Sequence, residues 1–374
     1  MEKKLNVLQV CSYYTDSKLY ENLFSALSRE GVNSKVFYFS SKSMDTSKID
    51  GNEKFIISKS YNNLERFLYF LKHKRVYDDL KKNNLDFELS HAHSLFSNGY
   101  IAYKLKKDYS IPYIVTSRRS DLFIFTKYKP YLIPLAAKIL NEAEKCIYLS
   151  ESAVDKAEEV FGRRVLNLRD KKVVLPNGIE NVFLENIFYR EKSKDLNEST
   201  ILIMAGKLDD KNKNLKTLIE VLSILRDKDK SFKLLLVGRL EDPLLKEMVD
   251  KNPNIIYKEN TRDYKKMISY YRMADIYVMP SFTETFGLVY AEALSQGLPV
   301  IYTKNQGFDK QFPDGHVGFA IDPNSAYDIC EKILKVKGSY YEISKRASVG
   351  AQRYNWDRIA GEYEKIYKEI ILRK

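Results

Sequence analysis

Cysteine is scarce: Cys11, Cys146 and Cys330 are the only three in 374 residues. They are too few for a disulfide framework and lack metal-site spacing, so a reducing compartment is expected. Long apolar runs are absent too. The best candidate, Ile124 to Leu140, is broken by Lys127, Lys129 and Lys138, which excludes a membrane-spanning helix of about 18 or more residues. The charged start, Met1 to Lys4, precedes only a short apolar run, Leu5 to Cys11, with no small-residue cleavage site. It reads as a first buried strand rather than a signal peptide. Zinc-finger spacing, an aromatic RNA-binding signature and a long basic tail are all missing, which argues against nucleic acid as a partner. Collagen, coiled coil, secreted mini-domain and membrane channel are excluded, and a cytoplasmic enzyme or binding protein remains.

The chain is 44% hydrophobic, 13% aromatic and 30% charged, the balance of a folded globular protein. Its length exceeds what one core usually serves, so two domains are expected. The net charge of +12 is shared unevenly, with 30 basic and 22 acidic groups in residues 1–180 and 32 and 28 in residues 181–374. That surplus suits a phosphorylated substrate or an anionic membrane surface; a basic face that merely keeps the protein soluble is the alternative.

Short apolar runs alternate with amphipathic stretches over nearly the whole length, the pattern of parallel sheets covered by helices. Strands are predicted at Leu5–Cys11, Val32–Phe39, Phe55–Ile57, Phe87–His91, Tyr113–Thr116, Cys146–Leu149 and Val173–Leu175. The turn Pro176-Asn177-Gly178 closes this half, and the charged stretch Arg190–Ser199 reads as a linker. Strands then resume at Ile201–Ala205, Lys233–Val237, Ile255–Tyr257, Ile276–Met279, Val300–Tyr302 and Val317–Ile321, with helices at Leu215–Arg226, Leu244–Asp250, Tyr264–Met273 and Phe286–Gln296. The reading is an α/β protein of two doubly wound, Rossmann-like domains. Residues 1–180 form the first and 181–353 the second, with a terminal helix over 354–374. Ligands are expected in a cleft at the carboxyl ends of the strands.

The segment from Pro280 to Val300 carries the most chemistry. It reads as a strand end, a polar turn, a helix, a glycine stop and a new strand opened by Pro299. Amide N–H groups at the start of such a helix are unpaired and attract a diphosphate, and Gly287 permits close backbone approach. Glu284 and Glu292 are eight residues apart, about 12 Å at helical rise, a gap that a nucleotide-sugar spans. Carboxylates suit vicinal hydroxyls because each accepts two charge-assisted hydrogen bonds. The alternative is structural, with Glu284 capping the helix and Glu292 solvated.

Taken as Pro-Ser-x-x-Glu-x-Phe-Gly-Leu-x-x-x-Glu-Ala-x-x-x-Gly-x-Pro-Val, this segment resembles the E-x7-E signature of the family 4 retaining glycosyltransferases, enzymes of GT-B fold. Val174 to Ile179 resembles the family's motif closing the N-terminal domain. Ala205-Gly206-Lys207-Leu208, continued by Lys213-Asn214-Leu215, resembles its glycine–arginine–leucine and lysine motif, with Lys207 in place of the usual arginine and Lys213 one residue late. The resemblance implies that Glu284 holds sugar hydroxyls, Glu292 the ribose, and Lys207 and Lys213 the diphosphate. Gly206 and the main chain of Phe286, Gly287 and Leu288 add donor contacts. The donor is of UDP or GDP type, with no metal and no other cofactor.

The first half departs further. The family commonly has paired glycines after the first strand, whereas this turn reads Ser12 to Ser17, so Tyr14 to Ser17 are expected to line the cleft with side chains. Asp86 to His93 resembles the strand whose histidine end faces the cleft. His91 and His93 share one side of a strand and read as a hydrogen-bonded pair, with a metal site the weaker alternative for want of a third ligand. Arg118 stands where the family often has histidine, beside Arg119 and Asp121. A permanent cation cannot act as a general base, which fits a retaining mechanism in which donor phosphate takes the acceptor proton. Tyr14, His93, Arg118, Arg119 and Asp121 are the expected acceptor side; surface ion pairing of the arginines is the alternative.

Asp227-Lys228-Asp229 matches a metal-binding D-x-D pattern formally but reads as a solvated turn. Leu64–Leu80 carries Phe67, Leu68, Leu71, Val76 and Leu80 beside Arg66, Lys72, Lys74 and Arg75, and Phe123–Tyr131 mixes aromatics with Lys127 and Lys129. Either stretch could rest on an anionic membrane, where lipid-linked acceptors reside; a core-facing helix explains the first equally. Trp356, Ile359, Tyr363, Ile366, Tyr367 and Ile370 resemble the GT-B terminal helix that returns to the N-terminal domain. Together these features imply sugar transfer from a nucleoside diphosphate to a saccharide or lipid-linked acceptor. Richness in Lys, Asn, Ile and Tyr points to an AT-rich bacterial genome, for which surface polysaccharide assembly is the expected pathway; the expected location is the cytoplasm, with peripheral contact at the inner face of the membrane. A non-catalytic nucleotide-sugar-binding module and a sugar-nucleotide epimerase of similar fold are the rivals.

Overall fold

The computed structural model describes residues 4–16, 18–189, 196 and 199–373, with the side chains of Asp16 and Arg66 left out. The expected linker Arg190–Ser199 lies mostly outside the described residues, as do Met1 to Lys3 of the charged start and Ser17 of the first turn.

The chain divides into two units, each with its own core. The first comprises residues 1–149, 153–176 and 356–374, and the second residues 150–152 and 177–355. The main division thus falls between Pro176 and Asn177, and the return between Asn355 and Trp356.

The first unit holds seven strands: β1 (Leu5–Val10), β2 (Val32–Ser41), β3 (Phe55–Tyr61), β4 (Leu89–Ala92), β5 (Tyr113–Thr116), β6 (Lys145–Tyr148) and β7 (Lys172–Val174). They pair in parallel in the order β3-β2-β1-β4-β5-β6-β7. Alternation along β1 decides the layers. Val7 joins the core of the helices Lys18–Arg29 and Trp356–Leu372, while Leu8 and Val10 face the other core, which includes Val76, Tyr77 and Leu80 of helix Tyr69–Leu80. The terminal helix belongs to this unit through Trp356, Ile359, Tyr363, Tyr367 and Ile370, spaced along one helical face.

The second unit holds β8 (Thr200–Lys207), β9 (Phe232–Arg239), β10 (Ile255–Glu259), β11 (Ile276–Met279), β12 (Val300–Thr303) and β13 (Gly318–Ile321), in the order β10-β9-β8-β11-β12-β13. Helix Leu215–Lys228 buries Leu215, Leu218, Val221, Leu222 and Leu225 against Leu202, Met204, Leu234 and Leu236. Both sheets reverse direction beside their first strand, between β1 and β4 and between β8 and β11. Loops leaving such a switch point part company and open a crevice.

Several boundaries differ from the sequence reading. β3 runs on to Tyr61, because the polar Ser58-Lys59-Ser60 stretch still pairs within the sheet edge. The helix expected from Phe286 starts only at Leu288, after Gly287 in a left-handed conformation at φ +78°. Two helices, Ala326–Gly338 and Tyr340–Gly350, were not anticipated; their buried residues follow helical spacing through Ile329, Cys330, Ile333 and Val336.

Candidate active site

Lys207 ends β8, and Pro280 follows β11, so the two loops richest in candidate residues leave adjacent strands at the switch point of the second unit. Glycine shapes the first loop. Gly206 sits at φ +121° opposite Gly238 of β9, and a Cβ at Gly238 would lie 1.7 Å from the Gly206 carbonyl oxygen. The paired strands therefore approach without side chains where they reach the site.

Asp209 then folds the loop back. Its Oδ1 accepts the amides of Asn212 (2.8 Å) and Lys213 (3.0 Å). Burial opposes its charge, but these two amides and Lys207 outweigh it and hold the carboxyl below its usual range. Lys207 is 65% exposed, with Nζ 3.6 Å from Asp209 Oδ2. Asn212 joins the loops: its carbonyl accepts the Phe282 amide (2.8 Å), and its Oδ1 accepts the amide and hydroxyl of Thr283.

The fold brings Lys213 and Glu284 together. Lys213 Nζ donates to Glu284 Oε2 at 2.7 Å and lies 3.3 Å from Met279 Sδ, with both side chains mostly buried. Glu284 Oε1 accepts the Thr285 amide at 2.9 Å, and its own amide donates to Gln306 Oε1 at 3.0 Å. Gly307 presses against this turn so closely that a Cβ there would lie 2.0 Å from the Thr285 carbonyl oxygen. Glu284 is thus on a braced loop and does not cap the helix.

Helix Leu288–Ser295 begins at Gly287 with no side-chain cap, and the Tyr290 amide donates to the Gly287 carbonyl at 2.9 Å. A Cβ at Gly287 would strike the Tyr290 ring at 2.4 Å. Phe286 is buried, its ring edge-on to Tyr354. Because residues 284–287 are not helical, the separation of Glu284 and Glu292 does not follow helical rise, a correction to the sequence reading. Glu292 accepts the Tyr271 hydroxyl at 3.0 Å. Burial lifts its pKa to about 7 against that bond, with Glu180 adding to the rise. Tyr271, Asn212, Gln306 and Gly238 escaped sequence reasoning, since each acts across a gap of 21 or more residues or from within an irregular loop.

The first unit arranges its candidates differently. His91 bonds Tyr367 Oη through Nδ1 (2.7 Å) and Thr116 Oγ1 through Nε2 (2.8 Å). His93 Nε2 donates to Gln9 Oε1 at 2.9 Å, and the two rings lie 3.9 Å apart. Burial, with Arg118 nearby, holds both imidazoles well below their ordinary pKa, so both are neutral. Arg118 donates through Nε to the His93 carbonyl (3.2 Å) and lies over Tyr20. Asp121 is buried, accepting the amides of Arg118 (2.8 Å) and Leu95 (3.0 Å); burial lifts its pKa to about 6 despite them. Arg119 turns away onto the Phe123 ring, 4.0 Å from its centroid. Tyr14 packs between Phe24 and Phe55, and Phe24 separates it from His93.

Asp229 is not simply solvated, another correction. Its Oδ2 pairs with Lys337 Nζ at 2.5 Å, which with the Ser231 amide lowers its pKa to about 2.

Two family models match successive parts of the chain: one described as Glycosyltransferase Family 4 over residues 18–181, the other as Glycosyl transferases group 1 over residues 186–356. The chain is similar to the α-monoglucosyldiacylglycerol synthase of Acholeplasma laidlawii, at 24% identity over 332 residues, covering 82% of this chain and 81% of that one. The sucrose-phosphate synthase of Thermosynechococcus elongatus superposes with a TM-score of 0.73 at 18% identity, over 99% of this chain and 100% of that chain. The Anabaena protein HepE, solved in complex with UDP, superposes with a TM-score of 0.70 at 14% identity, over 98% of this chain and 100% of that chain. The fold is GT-B. Its two halves match successive glycosyltransferase family models.

Proposed function

We propose that the chain transfers a sugar, with retention of anomeric configuration, from a nucleoside diphosphate sugar to a saccharide or lipid-linked acceptor in bacterial surface glycan assembly. The observation that carries the reading is the pairing of Lys213 with Glu284, beside exposed Lys207, at a switch point opened by Gly206 and Gly287. It supplies cations for a diphosphate and a carboxylate for sugar hydroxyls on one braced loop pair. Glu292, with Tyr271 orienting it, takes the ribose; UDP bound to HepE supports a nucleotide in this role.

In the reaction the acceptor hydroxyl oxygen forms a bond to the anomeric carbon as the bond from that carbon to the diphosphate oxygen breaks. The leaving diphosphate keeps the electron pair, and its oxygen receives the acceptor proton. Lys207 and Lys213 meet the growing negative charge, an interaction that strengthens toward the transition state. Arg118 cannot remove a proton; the main-chain carbonyl of His93 accepts from its Nε, and the neutral, enclosed imidazole bonds Gln9 instead. No metal takes part in this scheme.

A thermal-shift panel of nucleoside diphosphates and nucleotide-sugars tests the reading. A ligand at 100 times its dissociation constant should add about 2.7 kcal/mol, and nucleoside diphosphate release should require an acceptor. No stabilisation by any member rejects the donor site. Stabilisation without acceptor-dependent release leaves only a binding module.

A further inference from the structure

A pocket of about 490 Å³ lies wholly within the first unit, beyond the carboxyl ends of β1 and β2 and against helix Tyr69–Leu80. Its walls are aromatic, including Tyr38, Tyr61, Tyr69 and Phe125, with hydroxyls from Ser12 and Ser97. Aromatic faces of this kind stack on the apolar faces of sugar rings, and hydroxyls take their polar edges.

His73 supplies the directional group. It is buried and lines the pocket. Its Nδ1 lies 2.7 Å from the Tyr69 carbonyl, which can only accept, so Nδ1 carries the proton. Nε2 is left as a buried acceptor with no partner in the protein. Burial, with Lys72 adjacent, lowers the His73 pKa to about 3, so the ring stays neutral. The lone pair is closed to solvent here, so a hydroxyl donor in the pocket reaches it only when the ring turns toward the cavity. Lys72 and Lys129 bring two cations to the same pocket, Lys72 with its Nζ 4.8 Å from the Tyr61 ring centroid.

The rim is apolar and exposed. Phe67 and Met44 line the pocket yet face solvent, and Phe67 is 69% exposed. Leu64, Leu68, Phe70 and Leu71 continue the patch, so five exposed large apolar side chains fall within residues 64–71. Beyond Lys129, Tyr128 and Tyr131 are also exposed. No acidic residue occurs between Glu65 and Asp78, or between Asp121 and Glu142, while Lys72, Lys74, Arg75, Lys127 and Lys129 do. A soluble saccharide would need the pocket but not this rim, and a bare membrane anchor would need the rim but not a buried acceptor. Only an amphiphile uses both.

We infer that this pocket binds the acceptor and that the acceptor is lipid-linked: a saccharide head enters against His73, its phosphate meets Lys72 and Lys129, and the apolar rim seats in an anionic bilayer around the lipid. The inference rests on the transferase reading above and adds the acceptor class to it.

The test uses vesicles and the intact chain. Wild type should co-sediment with phosphatidylglycerol–phosphatidylcholine vesicles and not with phosphatidylcholine alone. Replacing Phe67, Leu68 and Phe70 together by serine should weaken this by about tenfold or more per side chain that inserts, with the nucleotide thermal shift unchanged. Phosphatidylcholine vesicles carrying glucosyl-diphospho-polyprenol should bind more tightly than phosphatidylglycerol vesicles of equal charge. Lys72→Met should abolish that difference and Lys72→Arg retain most of it, both variants melting like wild type. Indifference of wild type to anionic vesicles, or no preference for the glycolipid, overturns the inference. Loss of nucleotide stabilisation with vesicle binding intact would instead strike the donor site, so the two failures are distinguishable.

Discussion

The two sheets share one strand order around the switch point but finish their loops in opposite ways. After β8 and β11 the chain uses glycine at Gly206, Gly238 and Gly287, and the charged side chains of Lys207, Lys213 and Glu284 converge there. After β1 and β4 side chains fill the same position: His91, His93 and Gln9 bond one another or their neighbours, and Asp121 holds backbone amides. One strand order therefore carries a glycine-shaped loop pair with a lysine–glutamate ion pair in one unit and neutral, hydrogen-bonded histidines beside Arg118 in the other. The first unit's aromatic pocket lies toward β2 and helix Tyr69–Leu80. Topology sets where a site can be; loop residues decide whether it stays open.

The sharpest way to break this contrast is to remove the convergent cation. Lys213→Ala should lower kcat by roughly 10²–10³, the usual size of losing one preorganised electrostatic contact, and raise donor KM less. It also leaves Glu284 without its 2.7 Å partner, so Glu284→Gln/Lys213→Ala should lose little beyond the single variant if the two act as a unit. A rise in KM alone, with kcat kept, would make Lys213 an anchor.

Next in size is Glu292. Its alanine variant should weaken nucleotide binding about 10- to 150-fold, from roughly 1.5–3 kcal/mol for a charge-assisted hydrogen bond. A pH series sharpens this. Glu292 has its pKa raised from 4.5 to about 7, so the folded chain keeps a proton that the unfolded chain has lost. Its contribution to stability is greatest below pH 4.5, declines as pH rises to about 7, and is flat above. Nucleotide affinity should run the other way, rising through pH 7 as the carboxylate becomes a double acceptor; Glu292→Gln should flatten the affinity curve and remove this group's share of the stability slope, leaving the share of Asp121, whose pKa burial raises to about 6. His91 and His93, held neutral by burial, should add no step to nucleotide affinity between pH 5 and 8, while their share of stability rises with pH up to the ordinary histidine value of about 6.5 and is flat above it. A histidine-like step in affinity that survives Glu292→Gln would show that the two imidazoles are not held neutral.

Much of this was legible from the chain itself. The alternating pattern located the strands, and the Pro280–Val300 segment marked a loop where the structure pairs Glu284 with Lys213, because strand period, glycine and proline are local signals. What was not legible depends on distant partners. Nothing near Glu292 in sequence indicates Tyr271, and nothing in the Asp209–Lys213 insertion shows Asn212 stitching two loops. The helix start was misplaced because a left-handed Gly287 looks the same in sequence as one already helical. Nothing near Tyr14 in sequence shows that it packs on Phe24 and Phe55.

A smaller effect is expected at the glycines. Gly287→Ala places a Cβ 2.4 Å from the Tyr290 ring at φ +78°, and should cost about 1–3 kcal/mol of stability. Thermal unfolding measures it. Gly31→Ala, also at positive φ but with open space around its Cβ position, should cost about 1 kcal/mol, the backbone part alone. Equal losses would show that close packing at Gly287 contributes nothing.

The smallest expected effect is none at all, on chelation. The Asp227–Asp229 pattern is a sequence feature that would invite a metal, and the topology sets it at the other edge of the sheet from Lys207. Helix Leu215–Lys228 starts beside the carboxyl end of β8 and ends before the amino end of β9, so Asp229 lies across the sheet from Lys207. There Asp229 holds Lys337 and the Ser231 amide. With Lys207 and Lys213 meeting the diphosphate charge, EDTA should leave kcat and donor KM unchanged, and manganese should restore nothing. Activity lost in EDTA and recovered with manganese would mean that the leaving group is neutralised by an ion, and the comparison of the two crevices would have to begin from that ion's ligands.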